Sequence, residues 1–266
     1  MGILPQIIAN SIIAGAIYAL IALGFNLIYR TTKFFNLAHG ALTVVGGYAM
    51  FFLYKQLEWN IYASALVSVL FTGGAGYMLD KLVFRRLRNR GASQMVFLIA
   101  ALGLLTVIQA IIAILFTSQF QTLADSAMQQ QIYDIFGGII TQTQAIIAIL
   151  GVMILVGITW MLKYTMFGRA INAVSDDEEV AKMVGIHTNK IIGWVFFIGS
   201  AIAGLSGILV GFDTGLEPTM GMSLYNARGI CGSISVGVCG KFWRMAVFWR
   251  MEGCNCIYHF DNFSII

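Results

Sequence analysis

Charge is what this sequence has least of. Asp, Glu, Lys and Arg supply 11% of its 266 residues, against about 25% in an ordinary soluble domain. So thin a charged layer cannot cover a water-facing surface. With 59% hydrophobic residues and a mean hydropathy of +0.82, it excludes a soluble globular enzyme. It equally excludes a disordered chain, which needs low hydrophobicity. Proline occurs only 2 times, too seldom for a rigid linker. A nucleotide-binding loop is also missing. Gly240-Lys241 is the only Gly-Lys pair, Phe242 follows it, and Ser235 stands where the first glycine belongs. What is abundant is glycine, at 29 residues, which suits closely packed membrane helices. The net charge of +4 comes from short basic clusters between apolar runs. That pattern reads as membrane orientation and not as nucleic-acid binding.

Six uncharged runs are long enough to cross a hydrocarbon core: 3–29, 34–54, 61–79, 94–116, 139–162 and 191–212. The alternation of barrel strands is absent, so the expected fold is all-α, a polytopic transmembrane helical bundle. The first run lacks a basic n-region and is expected to be retained as a span. Gln6 occupies the Ser/Thr position of a myristoylation signal, so no lipid anchor is expected. Odd-numbered loops carry eleven Lys/Arg and even-numbered loops carry one. The positive-inside rule then puts the N-terminus outside and the odd loops in the cytoplasm. No span carries the buried acid or base of an ion relay.

Three groups of residues stand out. Gly199, Ala203, Gly207 and Gly211 place a small residue at every fourth position, a flat stripe for helix packing. Asn36 and His39 are three apart and are expected to share one helical face. Gly40, Gly46 and Gly47 weaken that helix locally. The group reads either as a lining of a substrate pathway or as an interfacial histidine bonded to a neighbour. No Asp, Ser or Cys stands at catalytic spacing from His39, and no catalytic constellation or metal site is read. The fifth loop runs from Gly168-Arg169 into Ser175-Asp176-Asp177-Glu178-Glu179. Ser175 with Glu178 fits a capping box and Gly185 fits a helix stop, so a short helix of about nine residues is expected. Its acids are either a docking surface for a cytoplasmic protein or a solvated face.

These segments carry a resemblance. Residues 14–29 (Ala14-Gly15-Ala16-Ile17-Tyr18 to Asn26-Leu27-Ile28-Tyr29), Phe35-Asn36-Leu37-Ala38-His39-Gly40, Gly46-Gly47-Tyr48, Gly168-Arg169-Ala170 and Leu205-Ser206-Gly207-Ile208-Leu209 resemble the inner-membrane permease of branched-chain amino-acid ABC transporters. The resemblance covers about residues 3–225 and extends to permeases for urea and short amides. It implies a multi-pass subunit in a bacterial inner membrane, without a cofactor or an ATP site of its own. It implies as partners a second permease subunit, two cytoplasmic ATPase subunits, a periplasmic substrate-binding protein and membrane lipid, and no nucleic acid. Gly168, Arg169, Ser175, Asp176, Asp177, Glu178, Glu179 and Gly185 would couple to the ATPase. Asn36 to Gly47 would lie near the translocation pathway. A stand-alone channel or secondary carrier is the alternative outside this class.

The chain divides into a permease domain, 1–225, and an atypical tail, 226–266. All four cysteines, Cys231, Cys239, Cys254 and Cys256, fall in the tail beside Trp243 and Trp249. Their spacing matches no zinc template, and no seventh apolar run follows. The abrupt change of composition is expected of a shifted reading frame or an altered gene end.

Overall fold

The computed structural model describes residues 3–116, 119–123, 132–135 and 138–220. Helices form where the apolar runs lie. In chain order they are α1 (Ile3–Thr32), α2 (Ala38–Phe51), α3 (Ile61–Leu79), α4 (Arg85–Asn89), α5 (Gln94–Phe116), α6 (Gln142–Tyr164), α7 (Met166–Asp176), α8 (Glu178–Met183) and α9 (Thr188–Asp213). A π-helical turn, Phe52–Gln56, extends α2, and another, Asp80–Phe84, carries α3 into α4. An antiparallel hairpin of β1 (Ile132–Ile135) and β2 (Gly138–Thr141) precedes α6, with Ile132 opposite Thr141.

Five helical stretches are long and apolar enough to cross a membrane: Ser11–Thr32, Ile61–Asn89, Gln94–Phe116, Gln144–Tyr164 and Thr188–Asp213. The chain is a helical membrane bundle, as composition requires. Two expected spans change. Residues 34–37 of the second run are not helical, and α2 has only 14 residues. Eleven of these are buried. Other helices satisfy and shield α2, so it need not match the bilayer by itself. The fifth run loses residues 139–141 to β2, because Thr141 stops the strand and caps α6. Its side chain accepts from the Gln144 amide at 3.3 Å, and the Gln144 side chain accepts from the Thr141 amide at 3.3 Å. Thr141→Ala should cost about 1 kcal/mol at this end. Faster hydrogen exchange of the Gln144 amide would register it, and unchanged exchange would refute the cap's role.

The bundle is built around α9. In its most apolar stretch 72% of residues are buried, against 11% in α6 and 17% in α5. α9 packs against α1, α2 and α3 together, and its small residues make this possible. A Cβ on Gly199 would stand 2.8 Å from the Ile28 side chain and 3.1 Å from the Gly24 carbonyl of α1. Ala203 is fully buried. A Cβ on Gly204 would stand 2.7 Å from Thr72 of α3, one on Gly207 would strike the Thr43 carbonyl of α2, and one on Gly211 would stand 2.6 Å from Leu123. The face holding Gly207 and Gly211 is therefore covered, by Thr43 of α2 and by Leu123 and Leu216. Gly46 and Gly47 answer from α2. They do not break the helix but let it settle onto the backbone of Gly204 and Gly207.

The loops sort to two ends. At one end Phe34 stacks on Phe97 at 4.6 Å and meets Phe84 in a tilted contact at 5.0 Å, and Phe84 stacks on Phe196 at 5.5 Å. The Gln94 side chain donates to the Lys33 carbonyl at 3.5 Å, and Arg88 donates to Asn189 at 3.5 Å. These contacts gather the first, third and fifth loops, the basic ones. At the other end Gln121 and Leu216 exchange backbone hydrogen bonds of 3.0 and 2.7 Å. There the Gln144 side chain donates to Asp213 at 3.1 Å. Exposed aromatics mark both levels: Trp160, Tyr164 and Trp194 towards the basic end, Trp59 and Tyr62 towards the other. Trp and Tyr favour the membrane–water boundary.

Candidate functional site

The α1–α2 turn is the first site. α1 ends when Lys33 takes a positive φ of 58°, and the chain runs through Phe34–Leu37 before α2 begins. Asn36 thus lies in the turn, not on the helix. Its carbonyl accepts from the His39 amide at 3.2 Å. The expected shared helical face is corrected to a turn that folds Asn36 back beside the first residues of α2. The reason is local: the Leu37 cap makes no side-chain hydrogen bond, and Gly40 bonds to Leu37 at 3.2 Å instead.

Asn36 and His39 are both buried; the Asn36 side chain has no hydrogen-bond partner among the described residues, and the His39 ring lies against the Ile21 backbone of α1. Phe25 faces the imidazole edge-on at 6.2 Å, and Tyr29 and Phe35 meet at 4.9 Å beside it. A Cβ on Gly24 would stand 3.0 Å from the ring of His39 and 2.9 Å from the Gly199 carbonyl. His39 therefore occupies a point where α1, α2 and α9 meet. Sequence reading missed a second polar line. Ser64, Ser68 and Thr72 of α3 are fully buried at four-residue spacing. Thr72 donates back to the Ser68 carbonyl at 2.7 Å, while the hydroxyls of Ser64, Ser68 and Ser200 have no partner among the described residues. The i, i+4, i+8 spacing was the available signal. Asp80 was missed as well. It is 2% exposed, lies 3.5 Å from Arg88, and stands one residue past the expected span 61–79 within the longer helical stretch Ile61–Asn89.

The fifth loop forms the second site, and it holds two helices where one was expected. Thr165 caps α7 by accepting from the Gly168 amide at 3.1 Å. Gly168 rests against the Leu162 carbonyl, where a Cβ would collide. Ile171, Val174 and Ser175 of α7 are buried, and Arg169 is exposed. Ser175 is thus inside a helix, and the expected Ser175–Glu178 capping box does not form. Asp177 is the cap of α8, accepting from the amides of Glu179 at 2.8 Å and Val180 at 3.1 Å. A carboxylate at this position also meets the positive end of the helix dipole. Glu178 pairs with Lys182 at 2.8 Å and accepts from Thr188 at 3.4 Å. Asp176 and Glu179 stay exposed. Gly185, at φ 89°, ends the helix. The amides of Gly185 and Ile186 then reach the Lys182 and Ala181 carbonyls at 3.0 Å. Met166, Val180, Met183 and Val184 are exposed on this pair.

A bundle of apolar helices with a buried polar turn and an appended helix pair defines a multi-pass membrane protein. The chain belongs to the family described as Branched-chain amino acid transport system / permease component, which matches residues 7–244. Over 213 residues, 76% of this chain and 68% of the relative, it is 28% identical to the high-affinity branched-chain amino acid transport system permease protein LivH of Escherichia coli K12. It is 26% identical to the corresponding protein BraD of Pseudomonas aeruginosa, covering 81% of this chain and 74% of that one. The probable branched-chain amino acid transport permease protein LivH of Methanocaldococcus jannaschii is 30% identical, covering 81% and 69%. No solved structure matches the chain. The family match runs past the expected limit of 225. The whole tail, with its four cysteines, lies outside the described residues, and Cys231 and Cys239 fall within the matched stretch.

Proposed function

We propose that this chain is a permease subunit of an ATP-driven importer of branched-chain amino acids in a bacterial inner membrane. One observation carries the reading. The α7–α8 pair exposes Met166, Val180, Met183 and Val184 beside Asp176 and Glu179 at the basic end of the bundle. Exposed apolar groups of this kind mark a contact surface. Acidic neighbours suit a protein partner, since helices resting on lipid favour Lys and Arg. Two cytoplasmic ATPase subunits are the proposed occupants, with a second permease subunit completing the pore. A periplasmic binding protein would deliver substrate to the opposite end. In this reading the basic end faces the cytoplasm and the N-terminus lies outside. Asn36, whose side chain has no partner among the described residues, and the neighbouring His39 border the pathway, because a polar group left unpaired inside a membrane is costly unless it faces substrate or water. Gly46 and Gly47 hold that segment against α9, and Gly40 is buried at its start.

The test spares Glu178, which serves Lys182 and Thr188 within the chain. Asp176→Lys with Glu179→Lys should lower co-purification of the ATPase about ten-fold or more while the bundle stays monodisperse. Undiminished co-purification would sink the docking role. Uptake assays separate the alternatives: ATP-independent uptake would mark a stand-alone carrier, and uptake of urea in place of leucine would move the substrate class. The tail from about residue 226 is proposed to follow from a shifted frame or an altered gene end, and the family match that continues to residue 244 counts against a break as early as 226. Independent isolates encoding the same tail in an intact gene would refute that.

A further inference from the structure

Two adjoining hollows meet at the start of α9. The larger, about 510 Å³, is walled by Phe167 of α7 and by Ile191, Trp194 and Ile198 of α9. The second, about 450 Å³, gathers Arg85 of α4, Lys182 of α8, and His187 and Lys190, with no carboxylate in its wall. His187 and Lys190 line both. Lys190, Trp194 and Ile198 recur every four residues, so they form one stripe of α9, about 12 Å long at 1.5 Å per residue. Together the hollows make a groove that is basic at its outer end and apolar along the helix. Lys182 is engaged by Glu178 at 2.8 Å. Arg85 feels the buried Asp80 carboxylate at longer range, but neither Arg85 nor Lys190 makes an ion pair within 4.0 Å among the described residues.

We propose that this groove binds an anionic phospholipid, with its phosphate between Arg85 and Lys190 and an acyl chain against Phe167, Trp194 and Ile198. Charge complementarity selects the occupant. A free anion would satisfy the basic hollow and leave the apolar one empty. An apolar helix of a second copy would fill the apolar hollow and leave the bases unanswered. A lipid with a negative headgroup does both at once. The groove also lies at the level that lipid headgroups occupy: Trp194 is exposed there, and at the same end of the bundle Lys163 lies over the Tyr164 ring at 5.5 Å. Such a lipid would touch α7, α8 and α9 together and brace the helix pair against the bundle. The proposal needs only a membrane-embedded chain and is independent of the ATPase reading.

The test is native mass spectrometry of the full chain, released from micelles of equimolar phosphatidylglycerol and phosphatidylcholine. The wild type should retain phosphatidylglycerol preferentially. Arg85→Gln with Lys190→Gln should lower that preference roughly 25-fold, about five-fold for each basic side chain near the surface. Lys81→Gln with Arg90→Gln, exposed bases of the same end, should leave it nearly unchanged. An equal loss in both pairs would overturn the proposal, as would displacement of the lipid by excess inorganic phosphate. A measurement on the unaltered site guards against misfolding of the variants. Brominated phosphatidylglycerol should quench wild-type tryptophan fluorescence more than brominated phosphatidylcholine, and Trp194→Phe should abolish that difference. Equal quenching by the two lipids, or a Trp194→Cys disulfide between two copies in neutral vesicles, would overturn it.

Discussion

Gly207→Ala should leave little folded protein in detergent. The added methyl would strike the carbonyl of Thr43, and its other near neighbour, the Thr43 methyl, would stand 3.2 Å away. Backbone cannot rotate aside as a side chain can, so the helices must separate. Overpacking of a tight core costs about 1–3 kcal/mol, occasionally more. A clash with backbone on both of two packed helices belongs at or above the top of that range. Separation would also forfeit part of the contact between α9 and α2 that takes the place of a hydrophobic driving force in lipid. Gly74→Ala and Gly157→Ala are the controls. An added Cβ there meets nothing within 4 Å, and either change should stay within about 1 kcal/mol of wild type. Gly76 tests the same principle from the side-chain end. Its Cβ would collide with Ser200, so Gly76→Ala should be poorly tolerated and Gly76→Ala with Ser200→Gly should recover. Size-exclusion profiles after graded heating would measure all of these. Equal survival of Gly207→Ala and Gly74→Ala would discard the packing argument.

The stripe on α9 shows what a sequence of this kind makes legible. Small residues at four-residue spacing announce that another helix comes close, because the spacing alone defines a face. They do not say which helix, and here α1 and α2 share that face while α3 meets the adjoining one at Gly204. Apolar length fared similarly. The limits 94–116 and 61–79 coincide with α5 and α3 because loops with polar residues bound them on both sides. The run 34–54 did not, because hydropathy is blind to backbone direction: Phe34 and Phe35 are as apolar as any helical residue, yet they belong to a turn. Residues 139–141 misled in the same way, although Thr141 and Gln144 already spelled the capping box that starts α6. In the fifth loop two caps competed two residues apart. Ser175 has the right partner at Glu178, but Ile171 and Val174 hold it on the buried side of α7, and tertiary burial won. Asp80 was hidden by its neighbours, since one acid beside five bases in 81–90 reads as surface charge.

Asp80 supports the remaining prediction of large effect. Its side chain is 3% exposed and its partner Arg88 is 18% exposed, at 3.5 Å. Arg88 also donates to Asn189 at the start of α9, so one guanidinium joins the third loop to the fifth. Removing one member of a buried pair costs about 3–5 kcal/mol, because the other is left as an uncompensated charge. Arg88→Ala should approach the lower figure, since Arg85 attracts the same carboxylate at longer range. Asp80→Asn with Arg88→Met should recover most of the loss, because a neutral pair of similar volume carries no desolvation debt. The comparison separates charge from packing: if Arg88→Ala and the double variant melt together, Arg88 acts only as a spacer. If the double variant is stable but ATPase binding falls, the pair's contribution lies in position. The same pair that burial makes expensive would then be what keeps the α4 segment registered against α9, next to the helix pair on which the proposed partner docks.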